Sequence, residues 1–222
     1  MSTPSSEIGA ALLALDELTR RLRVECPWDR EQDERSIVPH TVEEAYELAD
    51  AANVGDDAKL RDELGDVLFQ VHFLSLLLEE RGAGDLAVVA EHCRQKLIRR
   101  HPHVFGDVEV DNASGVLRNW DLIKSTEPGR EPGIFGEVPE NLPALLYARK
   151  IQRRASSAGL IERPPDDAPA DRSAAFDEIG DRLFAIVNES RRLRVDPELA
   201  LRAAAQRFRD RLQSSETISG ET

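Results

Sequence analysis

A chain of 222 residues, 41% hydrophobic and only 5% aromatic, can bury a substantial core in one domain or two small ones, with the composition of a Leu/Ala-rich helical protein. Its formal charge of −13 argues against non-specific binding to nucleic acid, and no stretch approaches the ~18 uninterrupted apolar residues of a membrane span. The opening MSTPSSEIGA has no basic region followed by an apolar run, so no signal peptide is expected; Cys26 and Cys93 lack metal-ligand spacing and read as reduced thiols of a cytoplasmic protein.

Helical periodicity dominates and strand-like alternation is nearly absent, so the expected fold class is all-α. A first helix spans 7–24, with Leu12, Leu15, Leu18 and Leu22 on one stripe, and Pro27 in CPWDREQ breaks it. A second begins near Thr41, a plausible N-cap with Glu44 in capping-box register, and ends before Gly55. Within it Val42, Ala45, Leu48 and Ala49 are expected to face a core. Asp56 or Asp57 opens a third helix that runs to Gly82, and Asp85 opens a fourth that Pro102 stops. A short helix then carries Trp120 and Lys124, and the Pro/Gly-rich stretch 126–142 reads as a linker.

Beyond that linker the chain repeats itself. DELGDVLF at 62–69 returns as DEIGDRLF at 177–184, and a basic helix follows each copy. The expected organisation is therefore a first domain over 1–125, the linker 126–142, and a second, shortened repeat over 143–222. The second copy lacks a counterpart of VEEAYELADA: ERPPDDAPADRS precedes it, and three prolines there oppose a partner helix. Asp166, Asp167 and Asp171 in that stretch are acidic but would not be held rigidly. The retained face of Ile179, Leu183, Phe184 and Val187 is expected to pack on the first repeat or on a second subunit.

Negative charge is concentrated between Glu43 and Asp66. Nine acidic residues against two basic ones give −7 in those 24 positions. Such a run is usually a solvated face, yet here the acids flank apolar positions. Glu44 and Glu47 share a helix face, as do Glu63 and Asp66 on the next helix. An antiparallel packing across the turn at 53–57 lets the two pairs converge. Four such carboxylates cannot all stay ionised without cations, and hard oxygen donors suit Mg²⁺ shared with substrate phosphates. Gly65 costs roughly 1 kcal/mol against Ala in a helix, and would let a neighbouring helix or a ligand come close. Lys59, four residues before Glu63, and Lys96, Arg99 and Arg100 on the fourth helix have the character of phosphate clamps. A ferritin-like di-iron site would need Glu-x-x-His pairs. His72, His92, His101 and His103 fall outside that pattern and read as packing, capping or surface residues.

Glu-Glu-x-x-Glu at 43, 44 and 47, followed by Glu-x-x-Asp at 63 and 66, resembles the signature of the MazG family, as do CPWDREQ, ELGDVLFQV, KLIRRHPHVFGD and NWDLIK. The resemblance is strong over about residues 10–125. It implies an all-α, MazG-like helical bundle, a homodimer, and Mg²⁺-dependent hydrolysis of nucleoside triphosphates to a monophosphate and pyrophosphate, with Mn²⁺ as a substitute. It implies Glu44, Glu47, Glu63 and Asp66 as metal ligands, with Glu43 adjoining. It also implies His40, Lys59, Lys96, Arg99 and Arg100 as nucleotide contacts and Trp120 as a stacking surface for the base. Glu43 or Glu47 is the candidate general base. Trp28 is read as structural. The family's two-repeat members carry a full acidic motif in each half, and this chain does not. A non-catalytic nucleotide or metal sensor is the rival from another class. A related all-α dUTP or phosphoribosyl-ATP pyrophosphohydrolase is the rival among enzymes. No membrane or nucleic-acid polymer is expected as a partner.

Overall fold

The structure is a computed structural model, and it describes residues 4–110, 112–129, 133–136, 138–139, 141–162 and 172–219. Among these every regular element is a helix: α1 Ser5–Glu25, α2 Pro27–Glu31, α3 Glu34–Val54, α4 Asp57–Glu80, α5 Leu86–Arg100, α6 Pro102–Phe105, α7 Ala113–Ser125, α8 Ala144–Ser157, α9 Arg172–Leu193 and α10 Pro197–Ser219. No described helix is long and apolar enough to cross a membrane. The chain forms two compact units, Met1–Lys96 and Leu97–Thr222, so the division falls inside α5 and upstream of the stretch expected as a linker.

In the first unit α3 packs along α4, and α1 packs on α4. Ile37 of α3 and Phe73 and Leu77 of α4 form the core, with Phe69 and Leu74 against it. Two forked ion pairs tie α1 to α4. Arg20 holds Glu79 at 3.0 and 2.6 Å, and Arg23 holds Glu80 at 2.8 Å through both contacts. His72 is buried, its Nδ1 3.7 Å from Asp16 Oδ1, which fits its reading as a packing residue.

Helix α3 starts seven residues before the position expected from sequence. Asp33, not Thr41, is its N-cap: the Asp33 side chain accepts from Ser36 N at 2.8 Å, and the Ser36 hydroxyl accepts from Asp33 N at 2.9 Å. Pro39 lies inside the helix and forfeits one backbone hydrogen bond. Burial of Ile37 against α4 offsets that loss, so the helix runs through the proline. The other end is as expected. Gly55 adopts φ 76°, the left-handed cap that only glycine takes without strain, and Asp56 caps α4 by accepting from Ala58 N and Lys59 N.

The apolar positions around the acids are less covered than the sequence suggests. Val42 is 50% exposed, Ala45 and Ala49 are exposed, and Leu48 is half-buried. Leu64, Leu68 and Val71 of α4 are exposed as well. The Leu12–Leu22 stripe of α1 is likewise only half covered: Leu12 and Leu18 are exposed. A Cβ at Gly65 would meet nothing within 4 Å, so no other helix of the described chain makes the close approach that a glycine permits.

In the second unit α8 packs on α10 around Phe135, Val138, Tyr147, Ile151, Ala155 and Ala205. Phe135 and Val138 belong to the Pro/Gly-rich stretch, so that segment supplies core as well as connection. Tyr147 donates its hydroxyl proton to Gln206 at 2.8 Å, and Asp121 of α7 accepts from Arg153 and Ser157 of α8. Helix α9, which carries the repeated DEIGDRLF, leaves Phe176, Ile179, Leu183, Phe184 and Val187 exposed. Asp166, Asp167 and Asp171 lie outside the described residues.

Candidate metal centre

The antiparallel α3–α4 pair brings three of the expected ligands together. One carboxylate oxygen from each of Glu44, Glu63 and Asp66 lies within 4.8 Å of the other two. Helical spacing explains the arrangement. Glu63 and Asp66 sit one turn apart on α4, and Glu44 faces them from α3 because the Gly55–Asp56 turn reverses the chain. Glu63 is buried at 6% exposure, Glu44 is half-buried and Asp66 is open to solvent.

Their electrostatics are set by burial and by one another's charge. Desolvation pushes the Glu44 carboxyl above its ordinary range, and the charges of Asp66, Glu47 and Glu43 push it the same way while His40 opposes them. Glu63 is also raised, by desolvation first and then by Glu47, with Lys59 opposing. Among the described residues no other His, Cys, Asp or Glu cluster of this kind occurs. Three convergent carboxylates, one of them buried among like charges, are a donor set that a hard divalent cation fits. Glu47 stands outside the trio, exposed one turn from Glu44, although its charge reaches both Glu44 and Glu63.

The remaining expected residues fall into two groups, one in each unit. In the first, His40 Nδ1 lies 3.2 Å from Glu43 Oε2, one turn before the acids. Lys59 Nζ donates to Asp50 at 3.0 Å, and its charge also acts on Glu63 and Glu47. Lys96, half-buried, ends the unit.

In the second unit Arg99 and Arg100 converge on one carboxylate. Arg100 donates to Glu127 from Nε at 2.9 Å and from Nη2 at 2.6 Å, and Arg99 Nη2 donates at 2.9 Å. These bonds, Arg100's first, hold the Glu127 carboxyl down at about 2. The Arg100 guanidinium also lies over the Trp120 ring, 5.4 Å from its centroid, and His101 meets that ring edge-on at 4.9 Å. The tryptophan is therefore half-buried in a polar and aromatic setting rather than in an apolar core. Asp50 and Glu127, the partners of the expected cations, carry no periodic signal in the sequence. Each meets its cation only because of a turn.

The repeated DEIGDRLF segment assembles nothing comparable among the described residues. Glu178 and Asp181 are exposed on α9, and the nearest cation contact is Arg182 with Glu178 at 3.9 Å.

Residues 32–105 match the model of the MazG nucleotide pyrophosphohydrolase domain, a span that contains the whole carboxylate trio. The chain is 37% identical over 213 residues to a nucleoside triphosphate pyrophosphohydrolase of Escherichia coli (strain K12), covering 87% of this chain and 81% of that protein. It is 39% identical over 207 residues to the nucleoside triphosphate pyrophosphohydrolase/pyrophosphatase MazG of Thermotoga maritima, covering 87% and 80%. Among solved structures, the mazG-related protein from Thermotoga maritima aligns with a TM-score of 0.44 at 22% identity, over 50% of this chain and 96% of that one.

Proposed function

Because this chain belongs to the MazG family of nucleotide pyrophosphohydrolases, we propose that it hydrolyses nucleoside and deoxynucleoside triphosphates to the monophosphate and pyrophosphate, clearing them from the nucleotide pool. The observation that carries the reading is the carboxylate trio within the matched span. Glu44, Glu63 and Asp66, with Glu47 swinging in from the adjoining turn, are the residues that would hold Mg²⁺, or Mn²⁺ in its place. The bound cation supplies charge neutralisation at phosphate oxygens and acidification of a water molecule. Glu43 or Glu47 takes the proton of the attacking water. His40 keeps Glu43 oriented for that task through its Nδ1 contact.

Lys59, Lys96, Arg99 and Arg100 offset the charge that develops on the pyrophosphate leaving group. Trp120 offers its ring to the base. The exposed apolar residues on the acid-bearing helices and on α9 support a homodimer, since a lone chain leaves Val42, Tyr46, Leu64, Phe176 and Phe184 in water. A cytoplasmic location is proposed as well, with the exposed Cys93 and half-buried Cys26 as free thiols.

The test is pyrophosphate release on mixing the protein with a panel of nucleoside triphosphates and Mg²⁺. Turnover is expected with Mg²⁺ or Mn²⁺ and none in excess chelator. Undiminished release in EDTA would sink the metal reading, and binding without release would favour a nucleotide sensor. A second expectation concerns α9. Asp181→Asn should leave kcat within a few-fold of wild type, because Glu178 and Asp181 are solvated and join no acidic cluster among the described residues. Loss of turnover in that variant would mean that both copies of the repeat contribute to one site.

A further inference from the structure

Arg99 and Arg100 end α5, and among the described residues the acid that each of them meets is Glu127. The geometry is the one a phosphate would take. Arg100 presents the Nε and Nη2 edge of its fork to the two carboxylate oxygens, at 2.9 and 2.6 Å, and Arg99 adds its Nη2 at 2.9 Å. That edge binds carboxylate and phosphate in the same planar, two-point manner, so one occupant excludes the other. Two cations here face one acid, which leaves one positive charge in excess. The side chains of Arg100 and Glu127 are only 7% and 9% exposed, whereas that of Arg99 is 52% exposed. The seat is therefore closed at Arg100 and open to solvent at Arg99.

What holds the cations differs from what holds the acid. Both arginines stand on a helix, and the Arg100 guanidinium is backed by the Trp120 ring, 5.4 Å from its centroid. His101 meets the same ring edge-on at 4.9 Å. Removing the carboxylate leaves those contacts in place. Glu127 lies beyond the last turn of α7, after the Thr126 cap and before Pro128 and Gly129, the latter at φ 79°. Its backbone belongs to a turn, so the side chain can swing away without unwinding a helix. Acid does not release it near neutrality. The hydrogen bonds of Arg100, and then of Arg99, hold its carboxyl down at about 2. At neutral pH it leaves the arginines only in exchange for another anion.

We infer that Glu127 competes with phosphate for Arg99 and Arg100: the phosphates of a bound triphosphate displace the carboxylate, and the returning carboxylate drives pyrophosphate out after turnover. The inference rests on the phosphate role proposed above for the two arginines. A largely desolvated pair of guanidinium groups would otherwise grip a tetraanionic product tightly. Occupation by Glu127 lowers the apparent affinity of the seat to the fraction of molecules in which the arginines stand open.

The experiment measures binding of inorganic pyrophosphate to the full chain in EDTA, by calorimetry, for wild type, Glu127→Gln and Glu127→Gln combined with Arg100→Ala. Chelation removes any metal from the carboxylate trio, so the arginines are what the anion meets. Glu127→Gln keeps a hydrogen-bond acceptor but loses the charge. It should bind pyrophosphate about 10- to 100-fold more tightly than wild type, the range for releasing a charge-assisted pair. Adding Arg100→Ala should erase that gain. With Mg²⁺ and a nucleoside triphosphate, Glu127→Gln should also suffer product inhibition at correspondingly lower pyrophosphate. Glu127→Asp keeps the charge on a side chain one methylene shorter, and should show an intermediate gain; it carries the test if Glu127→Gln does not fold. Unchanged or weaker binding in the folded variant would overturn the inference and make Glu127 a brace for the arginines. So would a gain that survives Arg100→Ala, or no binding by wild type and variant alike. Tighter pyrophosphate binding without any triphosphate turnover would instead overturn the proposed activity and leave the competition standing.

Discussion

Asp66→Asn and Glu63→Gln should each abolish measurable pyrophosphate release. Each removes one charged oxygen from a cluster whose three ligand atoms lie within 4.8 Å, and the neutral amide replacing it is a poor donor to a hard cation. Stabilisation of phosphoryl charge by a metal amounts to several kcal/mol, so losing it lowers kcat by about 10²–10⁴-fold. The same substitutions should act in the opposite direction on stability without metal. Glu63 is raised above its ordinary 4.5 by desolvation, then by Glu47, and further by Glu44 and Asp66. A carboxyl whose folded pKa exceeds its unfolded value binds more protons in the native state between those two values. Stability therefore falls as pH rises through that window, and the cost is complete above it.

In EDTA at neutral pH, Glu63→Gln should melt above wild type. Well below the ordinary 4.5 the difference should vanish, because the wild-type Glu63 is then protonated in both the folded and the unfolded state. Excess Mg²⁺ should restore the wild-type advantage by mass action on the native state. Thermal unfolding at two pH values, with and without metal, checks all three. Near wild-type kcat in either variant, or a melting difference insensitive to pH, would reduce the cluster to a solvated face.

Ile151→Ala should destabilise the second unit by ~2–5 kcal/mol, the range for removing a large aliphatic side chain from a closed core. Ile151 is fully buried between α8 and α10, among Phe135, Tyr147, Ala155 and Ala205, and the hydrogen bond from Tyr147 to Gln206 resists the collapse that would close the hole. Tyr147→Phe keeps the ring and loses only that bond, which costs about 1 kcal/mol. The check is a lowered midpoint in urea with the slope unchanged. Metal affinity at the first unit's trio should not change, since none of the mutated side chains belongs to that unit. An Ile151→Ala variant as stable as a surface substitution would show that α8 and α10 do not share one core.

The sequence by itself determined the helical class, the helix starts at Asp56 or Asp57 and at Asp85, the Gly55 reversal and the pairing of Glu63 with Asp66. All of these follow from interactions within a few residues: helical periodicity, a side chain accepting from its own backbone, a glycine at positive φ. It also marked Glu44 and Glu47 together as the acids opposite, because a short turn between two long helices leaves them little choice but to run antiparallel; that Glu44 and not Glu47 joins the trio was decided by the tertiary structure. Where a distant contact competed, local reading failed. Thr41 looks like a start only if Pro39 stops a helix, and burial of Ile37 against Phe73 overrides that. Phe135 and Val138 look like linker residues until Tyr147 and Ile151 close over them. The partners of the cations, Asp50 for Lys59 and Glu127 for Arg99 and Arg100, were likewise fixed by tertiary structure. So was the standing of Trp28, which composition cannot distinguish from a core tryptophan. It is half exposed, and the residues after it are tied by Arg23, which also holds Glu80; a bond between residues 57 positions apart leaves no periodic trace in the chain.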